Sequence, residues 1–367
     1  MHALNLAFLI NDLGGCGGTE RVLSRVSNEL AGRGHDIHLL SRSAFKTTFF
    51  GYPSSANRHV LQFGKASSRA KILRLILELA GYIKREHIDI LVVVDTCHCY
   101  FAVPAGLLAG CPTIAWEHFN LGNDLVDNKP TLSYGLAARF ADRYVCISGP
   151  GLSEHREFGL VPEQKLALIP NPLSFDFPDD PGVSPEKRIL FVGRFSPQKN
   201  PIDTLRAWER SGLSSEGWNM TFVGEGSLRE GLEEYIRSKD VRGVELAGRS
   251  SDVGAWYRRS RVLCGSSTYE GFGLVIIEAA SYGVPSIFYD CSSGPASLIH
   301  QGKTGYLIEL GDIEGMAAAM RALAHLSAGE ERRMHDACRD AASRYEISAI
   351  GDAWERLLVD VLRRRTK

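Results

Sequence analysis

Residues 270–278 read Glu270-Gly271-Phe272-Gly273-Leu274-Val275-Ile276-Ile277-Glu278, and the placement of this run decides the fold. A short apolar strand at 261–264 and a small polar turn at 265–269 precede it. A helical pattern at 275–282 follows and is stopped by Gly283 and Pro285. One carboxylate therefore stands at a loop edge before a helix and the other about two turns further on. Gly271 and Gly273 let a ligand approach the backbone closely. The first free amides of the helix, with the positive end of its dipole behind them, suit a phosphate, and the carboxylates suit sugar hydroxyls. Taken alone, the run reads equally well as an ordinary strand, turn and helix with surface glutamates, so the rest of the chain has to decide.

A chain of 367 residues is too long for one typical core and suits two domains. Composition is that of a soluble globular enzyme, 44% apolar and 23% charged. A net charge of -1 excludes a nucleic-acid binder driven by bulk charge. The eight cysteines form no Cys-x-x-Cys pair and mostly sit in apolar runs, which fits buried free thiols in a reducing compartment. Cys97-His98-Cys99 offers metal-ligand atoms, but immediate neighbours rarely chelate together, so no metal site is expected. The start lacks a basic segment and its apolar run at 4–10 is short, so no signal peptide is expected. Residues 99–116 carry no charge, yet Pro104, Gly106, Gly110 and Pro112 break them into a buried helix and a buried strand.

Strands alternate with helices along both halves. In the first, apolar strands are read at 4–10, 36–40, 90–94, 113–116, 144–147 and 166–169, and helices at 19–31, 69–84, 100–108, 131–140 and 148–158. Pro170-Asn171-Pro172 breaks the rhythm, and 174–186, rich in Pro, Asp, Gly and Ser, reads as a linker. The rhythm restarts with strands at 189–192, 220–223, 244–246, 261–264, 286–289 and 306–308, a loop at 292–295, and a closing helix at 347–365. The expectation is α/β: two Rossmann-like, doubly wound parallel-sheet domains facing a central cleft, at 1–172 and 173–346, with the segment 347–367 packing back on the first. Ligands of such sheets bind at the carboxyl ends of the strands.

Two glycine turns follow the opening strands. Gly14-Gly15-Cys16-Gly17-Gly18 leads into a helix that Thr19 is expected to cap, with Glu20 in its first turn. It does not match Gly-x-Gly-x-x-Gly, since Glu20 takes the third position. The second turn, 193–200, carries Arg194 and Lys199, either two solvated surface cations or two groups converging on one anion. A guanidinium fork and an ammonium can take up the charge of a departing diphosphate without a metal. Glu117-His118 ends the strand at 113–116 and either touches a sugar hydroxyl or is structural. Arg249, after the strand at 244–246, either flanks a nucleobase or is solvated. The stretch 58–85 holds seven Lys or Arg against one acidic residue, Glu78. Its helix, with Ile72, Leu75, Ile76, Leu79 and Ile83 on one face, either packs on a core or also meets anionic lipid.

Together these residues resemble the retaining glycosyltransferases of family 4, which have the GT-B fold. The match rests on Glu270 and Glu278 in their EGFG context, Gly193-Arg194 through Lys199-Asn200, the run Gly17-Gly18-Thr19-Glu20-Arg21, and Gly302-Lys303-Thr304-Gly305. The resemblance implies that Arg194 and Lys199 hold a donor diphosphate, that Glu278 accepts from ribose hydroxyls and that Glu270 contacts the donor sugar. It implies that the backbone of Gly271, Phe272, Gly273 and Leu274 binds phosphate and sugar, that Gly17 and Gly18 close the site, and that His118 lies beside the sugar. Many members carry a proline where this chain has Gly265-Ser266, and a Gly-Gly loop with a glutamate where it has Ser293-Gly294-Pro295 and Ser297. Similar Cys-x-x-Gly-Pro loops look like those of bacterial galactosyl- and N-acetylgalactosaminyl-transferases, which leans the donor toward a UDP-hexose. The expected activity is metal-independent transfer of a hexose or N-acetylhexosamine from a nucleotide-diphosphate sugar to a lipid-linked or lipopolysaccharide glycan. The place expected for it is the cytoplasmic face of a membrane, with no cofactor and no nucleic-acid partner. The alternatives are a sugar-nucleotide epimerase or hydrolase on the same fold, or a non-catalytic sugar-nucleotide-binding subunit.

Overall fold

The computed structural model describes residues 3–61, 68–118, 131–179, 186–291 and 293–365. The chain divides into two compact units, Met1–Ser174 with Ile347–Lys367, and Phe175–Glu346.

In the first unit the described strands are β1 Asn5–Ile10, β2 Asp36–Ser41, β3 Asn57–Val60, β4 Ile90–Val94, β5 Thr113–Trp116, β6 Arg143–Cys146 and β7 Leu166–Leu168. They form one parallel sheet in the order β3-β2-β1-β4-β5-β6-β7. β4 is buried at all five positions, as a strand covered on both faces must be. Strand order reverses between β1 and β4, which opens a crevice at their carboxyl ends. The helix Gly18–Gly32 buries Val22, Leu23, Val26 and Leu30. In the helix Ser68–Arg85, Leu75, Leu79 and Ile83 are buried while Leu73 and Leu77 stand exposed on the opposite side. The uncharged run 99–116 becomes the helix Cys99–Ala109 and β5.

The last helix, Ile347–Arg365, belongs to this unit and lies along Gly18–Gly32. Arg33 bonds Glu29 at 2.8 Å, Asp352 at 2.7 Å, Glu355 at 2.9 Å and the carbonyl of Ser348 at 2.8 Å. Trp354 is fully buried, edge-on to Trp116 with ring centroids 4.7 Å apart.

The second unit carries β8 Arg188–Val192, β9 Asn219–Val223, β10 Val244–Gly248, β11 Val262–Gly265, β12 Ser286–Tyr289 and β13 Gly305–Ile308. Its described strands are parallel, in the order β10-β9-β8-β11-β12-β13, so the reversal falls between β8 and β11. Phe191, Phe195, Phe222, Trp208 and Met220 fill the core beneath.

Two sequence expectations are corrected, and one strand is added. Thr19 is not the cap of its helix: Gly17 is, with extended backbone, and its amide donates to the Glu20 carboxylate at 3.1 Å. Residues 293–295, expected within a loop at 292–295, instead open a short helix, Ser293–Leu298; Pro295 sits in its first turn, where no amide donor is needed. β3 was not foreseen. Its sequence, Asn-Arg-His-Val, is polar because it is an edge strand.

Candidate active site

In the second unit the loops after β8, β9, β11 and β12 meet at the carboxyl end of the sheet. The β8 and β11 loops are tied by backbone and hydroxyl bonds. Thr268 N–H donates to the Gln198 carbonyl at 2.8 Å, and Gln198 Nε2 to the Tyr269 carbonyl at 3.2 Å. Ser266 Oγ donates to the Asn200 carbonyl at 2.5 Å. Asn200 adopts a left-handed conformation, φ +43°, and Pro201 then starts the helix Pro201–Ser211. This fixed turn delivers Lys199 to Glu270, whose Oε1 accepts from both Lys199 Nζ and Ser267 Oγ, the latter at 2.8 Å. Glu270 is buried and Lys199 largely so.

The other loops press on this pair. A β-carbon at Gly224 would lie 1.8 Å from the Gly193 carbonyl oxygen, and one at Gly226 would lie 2.3 Å from that of Phe195. The β9 loop is thus glycine at two positions because the backbone carrying Arg194 runs against it. A β-carbon at Gly294 would lie 2.7 Å from the Phe272 carbonyl oxygen, so the chain after β12 supports the EGFG turn from the other side. Cys291, at the end of β12, is buried close enough to feel both charges. Burial, then Glu270, push its thiol up to about 12, with Lys199 acting the other way.

Gly273 caps the helix Leu274–Ser281 with φ +98°, a left-handed conformation that favours glycine. Of the first-turn amides, that of Ile276 donates back to the Gly273 carbonyl at 2.9 Å, which leaves those of Leu274 and Val275 outside the helix's own ladder. Phe272 turns its ring into the protein against Tyr345, centroids 5.7 Å apart, leaving its backbone to the turn. Glu278 is buried on this helix, and its Oε2 accepts from Tyr257 Oη at 2.7 Å. Arg194 leaves the end of β8 exposed, without an ion pair to a described residue. The geometry therefore joins Lys199 to Glu270 and sets Arg194 and Glu278 on the loop and helix that follow the adjacent strands β8 and β11. Arg249 is exposed at the end of β10, two strands from β8. Tyr257, Ser267, Gly224 and Gly226 were not singled out in the sequence. The glycine pair, directly after a strand, was the one signal there to be read.

The remaining candidates lie in the first unit. Gly17 and Gly18 start the first helix, and the loop before them wraps the Glu20 carboxylate; a β-carbon at Gly15 would meet it at 2.7 Å. His118 is buried, tilted against Trp116 at 4.6 Å between centroids, with Nε2 unpartnered among the described residues. Burial alone pushes its pKa down to about 3, so the ring is neutral. Glu117 is committed inward: its Oε2 accepts from His155 Nε2 at 2.8 Å, and the other ring nitrogen of His155 meets Tyr134 Oη. Glu117, His155 and Cys146 bring ligand atoms within 4.8 Å of one another. Both imidazole nitrogens are already engaged and burial holds the Cys146 thiol protonated, which fits a hydrogen-bonded network better than a metal site.

Two Rossmann-like parallel-sheet units in one chain are the architecture of the GT-B fold. Residues 16–177 match the family model Glycosyltransferase Family 4 and residues 176–342 match Glycosyl transferases group 1. The chain belongs to this glycosyltransferase family. It is 28% identical over 370 residues to an uncharacterized glycosyltransferase of Haemophilus influenzae, covering 96% of this chain and 99% of that protein. It is 26% identical to the lipopolysaccharide 1,6-galactosyltransferase of Escherichia coli K12, covering 99% of this chain and 100% of that one. The fold matches that of Anabaena Alr3699/HepE, solved in complex with UDP and glucose, with a TM-score of 0.80 and 17% identity over 97% of this chain and 100% of that one.

Proposed function

We propose that the chain transfers a hexose or N-acetylhexosamine from a UDP-sugar to a hydroxyl of a lipid-linked or lipopolysaccharide glycan, retaining the anomeric configuration and needing no divalent metal. The observation that carries this reading is the Lys199–Glu270 pair, held by two hydrogen-bonded strand-end loops beside the amino end of Leu274–Ser281. Breaking the anomeric C–O bond sends its electron pair to the diphosphate. Lys199, Arg194 and the helix amino end are the fixed charges and dipoles that take up that electron density. Glu270 holds the ammonium in place, and an arriving diphosphate competes for it. The acceptor oxygen then attacks the same face of the sugar, and its proton passes to the departing phosphate oxygen. Glu278, with Oε2 engaged by Tyr257, is the acceptor for ribose hydroxyls.

The UDP and glucose bound to the Anabaena protein, and the lipopolysaccharide galactosyltransferase of Escherichia coli, support the donor and acceptor classes. No described helix is long and apolar enough to cross a membrane. Exposed Leu73 and Leu77, beside exposed Arg74 on the helix Ser68–Arg85, support peripheral contact with anionic lipid at the cytoplasmic face. The test is release of nucleoside diphosphate from a panel of UDP-, GDP- and ADP-sugars, in chelator, with and without extracted acceptor lipid. Acceptor-dependent release from a UDP-sugar is the expected result. Release that ignores the acceptor indicates a hydrolase, conversion of the sugar without release an epimerase, and binding with no turnover a non-catalytic subunit.

A further inference from the structure

We propose that Asp203 is a positioning residue for Lys199, acting through Asn200, and that Tyr289 holds its carboxylate in place. All four residues belong to the second unit, where β12 and the helix Pro201–Ser211 support the cationic turn. Asn200 stands between Lys199 and that helix in a left-handed conformation, φ +43° and ψ +51°, which asparagine adopts more readily than most L residues. Its side chain does not cap the helix. Instead Nδ2 donates to Asp203 Oδ2 at 2.7 Å, and Tyr289 Oη donates to the same oxygen at 3.2 Å. Tyr289 is fully buried on β12, so its hydroxyl needs a partner inside the protein. The Asn200 carbonyl is held from the other side by Ser266 Oγ, which lies 2.7 Å from Thr204 Oγ1. Groups from the helix, from β12 and from the end of β11 thus fix both the backbone and the side chain of residue 200.

An acid in the first turn of a helix also has an ordinary role, placing negative charge near the positive end of the dipole. That role makes no demand on Asn200 or Tyr289. The exposed Arg206, 3.3 Å from Asp203 Oδ1, adds little in water. What sets Asp203 apart is the pair of donors converging on Oδ2. They fix the torsions of the residue that follows Lys199, and so the direction in which the lysine leaves the chain toward Glu270. Without that carboxylate the left-handed turn is held only through its carbonyl, and the ammonium loses its fixed position.

This inference rests on the reading of Lys199 as a charge sink for the diphosphate, and the experiment separates the two. Asp203→Ala, Asp203→Asn and Tyr289→Phe are made in the wild type and in Lys199→Ala. Turnover of the preferred UDP-sugar is measured well below each melting point, beside UDP affinity by titration calorimetry. Asp203→Ala is expected to lower kcat by about 10-fold or more. Asp203→Asn keeps an oxygen for Asn200 and Tyr289 and loses only the charge, so it recovers most of that loss; a dipole role predicts equal loss in both. In Lys199→Ala the Asp203→Ala change should cost less than about twofold further, because the group it positions is gone. Tyr289→Phe, which keeps its ring in the core, should lower kcat by roughly threefold and replaces Asp203→Ala in the cycle if that variant does not fold. Effects that multiply with Lys199→Ala, or variants within about twofold of the wild type, overturn the inference alone. A Lys199→Ala enzyme with near-normal kcat and UDP affinity overturns both.

Discussion

Gly224→Ala tests whether backbone packing between strand-end loops positions the cationic turn. The new methyl carbon would lie 1.8 Å from the Gly193 carbonyl oxygen, where ordinary contact begins near 3.4 Å, so the loops must part by about 1.6 Å. Gly224 also sits at φ +154°, which adds strain for alanine. Overpacking of this kind costs about 1–3 kcal/mol. In a unit of this size that lowers the melting temperature by roughly 5 °C. The displaced segment is the one that leads into Arg194 and Lys199, and a misplacement of about 1 Å at reacting groups costs on the order of 100-fold in rate. Turnover measured well below the new melting point is therefore expected to fall by about that factor. Gly231→Ala is the control. No atom lies within 4 Å of its added carbon, and it sits inside the helix Arg229–Lys239, so it should stabilise the unit slightly and leave turnover alone. A Gly224→Ala enzyme with wild-type melting and wild-type turnover would refute the reasoning.

Tyr257→Phe removes a donor from the buried Glu278 carboxylate. It should cost about 1–3 kcal/mol and weaken UDP binding in titration calorimetry, whereas unchanged stability and affinity would separate Glu278 from the donor site. Glu270→Gln keeps the shape but loosens Lys199; kcat should fall about 100-fold or more with the fold intact by circular dichroism. His118 links stability to pH. Its folded pKa, near 3, lies below the unfolded value near 6.5, so the unfolded chain binds the extra proton between those limits. The stability is fully present above about pH 6.5 and is lost as pH falls toward 3, on the order of 2 kcal/mol by pH 5. His118→Gln should flatten the drop in melting temperature between pH 7 and pH 5, and an equally steep drop would show that the ring is not held neutral.

Strands that are buried on both faces declared themselves. Ile-Leu-Val-Val-Val at 90–94 is apolar throughout because nothing on it meets water. The edge strand β3 did not, since half of its surroundings are solvent and its sequence is that of a loop. The start of the helix Ser293–Leu298 reads as part of a loop at 292–295 because Gly294-Pro295 is a turn signal in sequence. Leu73 and Leu77 were hidden for a different reason: the helical period points to the face with more apolar residues, and two leucines on the opposite face do not shift it.

At the candidate site, Lys199 and Glu270 were each visible from the loop in which they stand. Their pairing was not, because it joins residues 71 positions apart through contacts between two loops. Tyr257 was silent for a related reason. A tyrosine on a short helix reads as core until the buried carboxylate that takes its hydroxyl is located.

The central claim is that fixed cations, with no metal, take up the charge of the departing diphosphate. The most direct measurement is steady-state turnover of Arg194→Ala and Lys199→Ala beside the wild type, with the preferred UDP-sugar and acceptor and an excess of chelator. Wild-type turnover untouched by chelator, with each variant slowed by about 100-fold or more in kcat, is the expected result. Near-normal kcat in either variant, or wild-type activity that vanishes with chelator and returns with a divalent cation, would contradict it.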